Sequence, residues 1–252
     1  MNIIDDPSPN FGERKDGKKP KYIILHYTGT ETLEKALFNL KGGKPDHEVS
    51  AHYVIDVKGG VIRLVAEDKR AWHAGKAYWE GEEDINSSSI GIEIQNPGHE
   101  YGYVSFTEAQ IVAVIELCRD IMARHGILAC NVLGHSDVAP DRKEDPGELF
   151  PWQRLAAVGI GLWPETSPSA LASTTTEETA CTLLLNLGYD PKANISTLVT
   201  AFQRHYEPEA FQKDAKLGKL TPATLLRLQS LIAKKTALSS CKISSGKNNN
   251  SL

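Results

Sequence analysis

Apolar and polar positions fall into short blocks along the chain, and the spacing within the blocks changes. Tyr22, Ile23, Ile24, Leu25, His26 and Tyr27 form a near-continuous apolar run, which predicts a buried strand. After Thr28-Gly29-Thr30 the spacing turns helical, with Leu33, Ala36, Leu37 and Leu40 on one face and Thr28 and Glu31 as its expected capping box. Residues 42–50 are polar and read as a loop. Residues 52–57 and 61–65 flank Lys58-Gly59-Gly60, the pattern of a hairpin. Ile90–Ile94 is a further apolar strand. Thr107, with Gln110 at the third helical position, opens the clearest helix, whose stripe is Ile111, Val114, Ile115, Cys118, Ile121 and Met122 and whose stop is Gly126. Val132 and Leu133 lead as a short strand into Gly134-His135.

Strands interleaved with helices predict an α/β domain with a mixed central sheet flanked by helices, spanning residues 1–164. Residues 165–175, rich in Ser and Thr, read as a linker. Residues 176–237 predict a small three-helix domain. Its helices are Glu177–Leu187, a second carrying Ile195, Leu198, Val199, Phe202 and Tyr206, and a third opening at Thr221 with Pro222 in its first turn. The Ser-, Lys- and Asn-rich residues 238–252 read as a disordered tail.

Composition narrows the function without choosing it. A formal net charge of -4 gives no basic excess and argues against nucleic acid as the main partner. No apolar run approaches the ~18 residues that mark a membrane helix. The first residues lack the basic and apolar regions of a signal peptide. A cell-envelope location therefore requires another export route or a leader no longer on the chain, and the alternative is the cytoplasm. The four cysteines form no C-x-x-C pair and none neighbours a candidate metal histidine. Oligomeric state is not readable from the sequence.

The chemistry gathers at strand ends. His26 closes the first long strand, and His135 opens the polar loop 136–147, which holds Asp137, Asp141 and Asp145. Two such histidines and one carboxylate would make three protein ligands, the number that leaves a catalytic zinc its fourth position. Spacing does not choose among the three aspartates. Glu93 is a charge within the apolar strand Ile90–Ile94, on the face opposite Ile92 and Ile94, where a carboxylate needs a partner or a role.

Five ordered segments decide between these readings: Ile24-Leu25-His26-Tyr27, the run 49–55 around His52, the run 69–75 containing Trp72-His73-Ala74-Gly75, Ser89-Ile90-Gly91-Ile92-Glu93, and Gly134-His135-Ser136-Asp137 through Asp145-Pro146-Gly147. Together they resemble the type 2 zinc N-acetylmuramoyl-L-alanine amidases, over about residues 20–155. The resemblance implies one Zn2+ held by His26, His135 and Asp145, with Glu93 as general base and acid and Lys143 as the cation facing the oxyanion. The aspartate ligand, where a phage relative has cysteine, places the chain nearer the AmpD- and AmiD-like branch. Trp72 and His73 match a segment that lines the substrate groove, and Asn86 is a further candidate contact to the peptide stem. The implied activity is hydrolysis of the bond between N-acetylmuramic acid, or its 1,6-anhydro form, and L-alanine in peptidoglycan or muropeptides. A receptor that binds muropeptides without cutting them would not need the complete metal-and-base set. The C-terminal helices, through Leu187-Gly188-Tyr189-Asp190, the run 201–206 and Gly218-Lys219-Leu220-Thr221-Pro222, resemble a small peptidoglycan-binding domain. The alternative for them is packing alone.

Overall fold

The computed structural model describes residues 2–43, 46, 48–165, 176–212 and 216–246. Its strands are β1 (Ile3–Asp5), β2 (Phe11–Glu13), β3 (Tyr22–Tyr27), β4 (Tyr53–Ile55), β5 (Val61–Arg63), β6 (Lys69–Ala71), β7 (Ser89–Ile94) and β8 (Val132–Gly134). Its α-helices are α1 (Leu33–Leu40), α2 (Ile85–Ser88), α3 (Glu108–His125), α4 (His135–Val138), α5 (Trp152–Ala156), α6 (Glu177–Leu187), α7 (Ile195–Tyr206) and α8 (Pro222–Gly246). Six strands form one sheet in the order β1-β5-β4-β7-β3-β8, and β2 pairs with β6 in a separate ribbon. The sheet is mixed. β4, β7, β3 and β8 run parallel, β1 is parallel to β5, and the β4–β5 hairpin is antiparallel.

The apolar run of β3 follows from burial on both faces. Ile23 and Leu25 join Ile90, Ile92 and Ile94 against the stripe of α3. Tyr22 and Ile24 point the other way, against Leu184, Leu198 and Phe202 of α6 and α7. That second face is divided. Leu40 of α1 packs with Val54 at one side, the C-terminal helices cover the other, and the candidate site lies between them. In α3 the expected capping box forms: the Thr107 hydroxyl accepts from Gln110 N and Gln110 Oε1 accepts from Thr107 N. Gly126 closes the helix with φ 65.

Several expectations need adjustment. Helix α1 is capped by Thr32, whose side chain accepts from Lys35 N, and not by Thr28. Thr28 is held at the exit of the sheet by bonds between its hydroxyl and the backbone of Asn96, so the chain turns helical four residues later. Helix α8 runs through residue 246, into the stretch read as a tail, because no Gly or Pro interrupts it between Pro222 and Gly246. The expected linker lies outside the described residues except for Glu165, and so do residues 247–252 of the expected tail.

The C-terminal helices do not stand apart from the sheet. They share one core with it: Trp79 meets Tyr189 edge-to-face at 5.0 Å, and Lys235 of α8 pairs with Glu80 at 2.6 Å. Phe202 is fully buried in that core. Phe202→Ala is therefore expected to cost about 3–5 kcal/mol, and calorimetry should show a single transition moved to lower temperature. Separate melting of the helices, with the sheet transition unmoved, would contradict the shared core.

Candidate active site

Backbone register brings the first two groups together. In the parallel β3–β7 pair His26 lies beside Glu93, so both side chains emerge on the same face near the strand ends. β8 delivers His135 directly into α4, and the loop beyond it returns so that Ser136 N donates to the Asp145 carbonyl at 2.9 Å. This return places Asp145, and neither Asp137 nor Asp141, against the two imidazoles.

His26, His135 and Asp145 are all buried. His26 Nδ1 is 2.9 Å from His135 Nδ1 and 2.9 Å from Asp145 Oδ2, and His135 Nδ1 is 3.0 Å from the same oxygen. Three atoms that each offer a lone pair thus face one another, and they satisfy the geometry for a metal site. A tetrahedral zinc holding N and O ligands at its usual bond lengths separates them by about 3.3 Å. The cluster is within a few tenths of an ångström of that spacing, and the donor set of two imidazoles and a carboxylate suits zinc. Burial pushes the Asp145 carboxyl up, but the His135 and His26 rings beside it outweigh burial and hold it below the usual carboxylate range. Burial, reinforced by His135, lowers His26 to about 4, so the ring is neutral and able to ligate.

The cluster opens on a cavity of about 400 Å³ whose lining includes Trp72, His73, Glu93, Glu100, Asn39 and Lys143. Glu93 carries one carboxylate oxygen, Oε2, that is buried and has no hydrogen-bond partner among the described residues. Burial raises its pKa well above the ordinary value, the Asp145 charge adds to that, and Lys143 opposes it. A bound dication would also oppose it. An orphaned carboxylate oxygen beside a metal-shaped cluster is poised to accept a proton.

The other expected substrate contacts are placed differently. Trp72 lines the cavity. His73 also reaches its wall, but its ring is buried and sits directly behind His26. Asn86 is buried and does not line the cavity; its Oδ1 accepts from His73 N at 3.1 Å and Ala74 N at 2.8 Å. Arg142, adjacent to Lys143, spends its guanidinium on the carbonyls of Ala74 and Lys76.

The sequence reading missed the support that the C-terminal helices give to this loop. Asp137 is fully buried and accepts from Gly134 N at 2.7 Å, His205 Nδ1 at 2.7 Å and Tyr189 OH at 3.0 Å. Arg204 pairs with Glu144 at 2.9 Å, between Lys143 and Asp145 in sequence. One face of α7 thus holds both ends of the segment that carries His135, Lys143 and Asp145. The adjacent Arg204-His205 pair, within a helix whose other positions are largely apolar, was a sequence signal for it.

The fold and site define an amidase-like enzyme of the α/β class, with a three-residue cluster that could hold a metal ion. The model of the N-acetylmuramoyl-L-alanine amidase family matches residues 16–148, more than half of the chain, and the protein belongs to that family. It is 37% identical over 219 residues to the N-acetylmuramoyl-L-alanine amidase AmiD of Escherichia coli K12, covering 77% of this chain and 78% of AmiD. It is 34% identical over 167 residues to the 1,6-anhydro-N-acetylmuramyl-L-alanine amidase AmpD of Salmonella typhimurium SL1344, covering 60% of this chain and 87% of AmpD. Among solved structures, E. coli AmiD in complex with anhydro-N-acetylmuramic acid-L-Ala-D-gamma-Glu-L-Lys superposes with a TM-score of 0.75 at 31% identity. That match covers 89% of this chain and 98% of AmiD.

Proposed function

We propose that the protein hydrolyses the amide bond between N-acetylmuramic acid, or its 1,6-anhydro form, and L-alanine in peptidoglycan and muropeptides. One zinc ion would be held by His26, His135 and Asp145. The observation that carries this reading is the convergence of three lone-pair atoms at 2.9–3.0 Å beside an unpartnered Glu93 oxygen. The similarity to AmiD and AmpD supports the choice of bond.

When bound, zinc supplies Lewis acidity, making water acidic enough to lose a proton near neutral pH and polarising an amide carbonyl. Glu93 accepts that proton as water attacks the lactyl carbonyl, and returns it to the L-alanine nitrogen as the amine leaves. Lys143 faces the oxyanion that develops on the carbonyl oxygen. Trp72 offers an aromatic face to the glycan or stem at the cavity rim. The products are a muramic acid sugar and a peptide with a free L-alanine amino group. Lys143→Ala is expected to lower kcat about 10²–10³-fold with zinc content unchanged, measured by steady-state kinetics alongside metal analysis.

The reading is tested by incubating the protein with purified sacculi and with anhydro-muropeptides, each with and without a chelator, and weighing the products. Release of an L-alanyl peptide, abolished by the chelator and restored by zinc, is the expected result. Binding without cleavage would favour a receptor, and cleavage elsewhere in the stem would contradict the assigned bond. Activity on intact sacculi would place polymeric peptidoglycan among the substrates; activity confined to anhydro-muropeptides would restrict the enzyme to soluble fragments. Among the described residues no helix is long and apolar enough to cross a membrane.

A further inference from the structure

We propose that His73 and Ser89 are positioning residues that dictate which nitrogen of His26 faces the metal, and that the segment His73-Ala74 thereby orients both imidazoles of the metal set from behind. The inference rests on the reading that His26, His135 and Asp145 hold zinc.

Ser89 Oγ lies 2.6 Å from the Ile85 carbonyl oxygen and 3.1 Å from His73 Nε2. A carbonyl only accepts, so the single hydroxyl proton of Ser89 goes to Ile85. The serine oxygen is then an acceptor toward His73, and His73 carries its proton on Nε2. The polar partners of the His73 ring are a hydroxyl and an imidazole, with no carboxylate to stabilise a second proton, so its Nδ1 is a lone pair. His26 Nε2, 3.0 Å away, must donate to it. That leaves His26 Nδ1 unprotonated, directed at His135 Nδ1 and Asp145 Oδ2. In the reverse order a proton would sit on His26 Nδ1, in the middle of the ligand cluster, and His73 Nε2 would need a donor that Ser89 has already committed to Ile85. Ser89 makes the chain one-way.

The second imidazole is set from the same segment. His135 Nε2 donates to the Ala74 carbonyl at 3.1 Å, turning its Nδ1 toward the cluster. Asn86 Oδ1 holds the backbone of both His73 and Ala74, so the buried amide fixes the segment. Gly91 completes the arrangement: a Cβ there would fall 2.4 Å from His73 Cγ, so glycine leaves room for the ring against strand β7. A contact of this kind, orienting a metal histidine through its outer nitrogen, typically changes metal affinity about 10–100-fold when removed.

The test measures zinc dissociation constants by chelator competition for the full chain and for His73→Leu, His73→Asn and Ser89→Ala, with ¹⁵N NMR of the histidine rings in the wild type. His73→Leu should weaken zinc binding about 10–100-fold. His73→Asn, whose amide oxygen can stand where Nδ1 stood, should recover part of the loss, and Ser89→Ala should weaken binding to a smaller degree. The NMR should find the His73 and His26 protons on Nε2. Wild-type zinc affinity in both His73→Leu and Ser89→Ala, or a proton on His73 Nδ1, would overturn the inference while leaving the metal reading intact. A wild-type chain that takes up no zinc would overturn both. Should His73→Leu fail to fold, Ser89→Ala and the wild-type spectrum carry the decision.

Discussion

Glu93→Gln is expected to abolish most of the amide hydrolysis, lowering turnover about 10²–10⁴-fold, while zinc affinity and melting temperature stay at the wild-type values. Glutamine keeps the shape of the side chain but does not take the proton of the attacking water or deliver one to the leaving amine. The position has no structural partner to lose, since Glu93 Oε2 bonds to nothing among the described residues. Its neighbour across the β3–β7 pair is His26, a proposed zinc ligand, so the loss would localise proton transfer to the strand beside the proposed metal site. Steady-state kinetics with a muropeptide, together with metal analysis, reads both quantities. A variant that kept most of the wild-type turnover would remove Glu93 from the mechanism. Equal losses of activity and zinc would make it a structural residue.

The second large effect concerns stability. Asp137→Ala removes an acceptor that satisfies Gly134 N, Tyr189 OH and His205 Nδ1 in a fully buried setting. Breaking a buried charged group away from its partners typically costs about 3–5 kcal/mol. Asp137→Ala should reach that range in urea denaturation, and His205→Ala, which strips one donor from the carboxylate, should cost less, about 1–3 kcal/mol. Because Asp137 sits two residues from His135, zinc affinity should fall with stability in Asp137→Ala. An Asp137→Ala protein of unchanged stability would show that α7 merely lies against the loop.

The local elements were legible in the sequence because they depend on short-range patterns. The apolar run of β3, the capping box of α3 and the β4–β5 hairpin are written in neighbouring residues, and each is found in the structure. His26 and Glu93 stood out as polar side chains in apolar strands, but it was the resemblance carried by five ordered segments that pointed to their proposed roles. What was not readable is how polar groups spend their hydrogen bonds over long separations. His73 read as a substrate contact through its resemblance to a groove-lining segment and Asn86 through its place ahead of β7, yet their polar atoms are used by His26, Ser89 and the backbone of residues 73 and 74. Ser89 gave a faint signal, sharing the alternation of Gly91 and Glu93 on one strand face. The short strands β1, β2 and β6 lack any apolar period and form only by pairing. The shared core beneath α6, α7 and α8 was hidden for a similar reason. An apolar helix stripe does not say whether it packs against its own neighbours or against a sheet.

The most direct test of the whole account is the identity and coordination of the metal in the purified protein, by metal analysis combined with X-ray absorption at the zinc edge. The account expects one zinc per chain, bound by two imidazole nitrogens and one carboxylate oxygen, with Asp145→Ala losing the ion. A chain that cleaves the muramyl–alanine bond at full rate without metal, or that binds zinc just as tightly after Asp145→Ala, would contradict it.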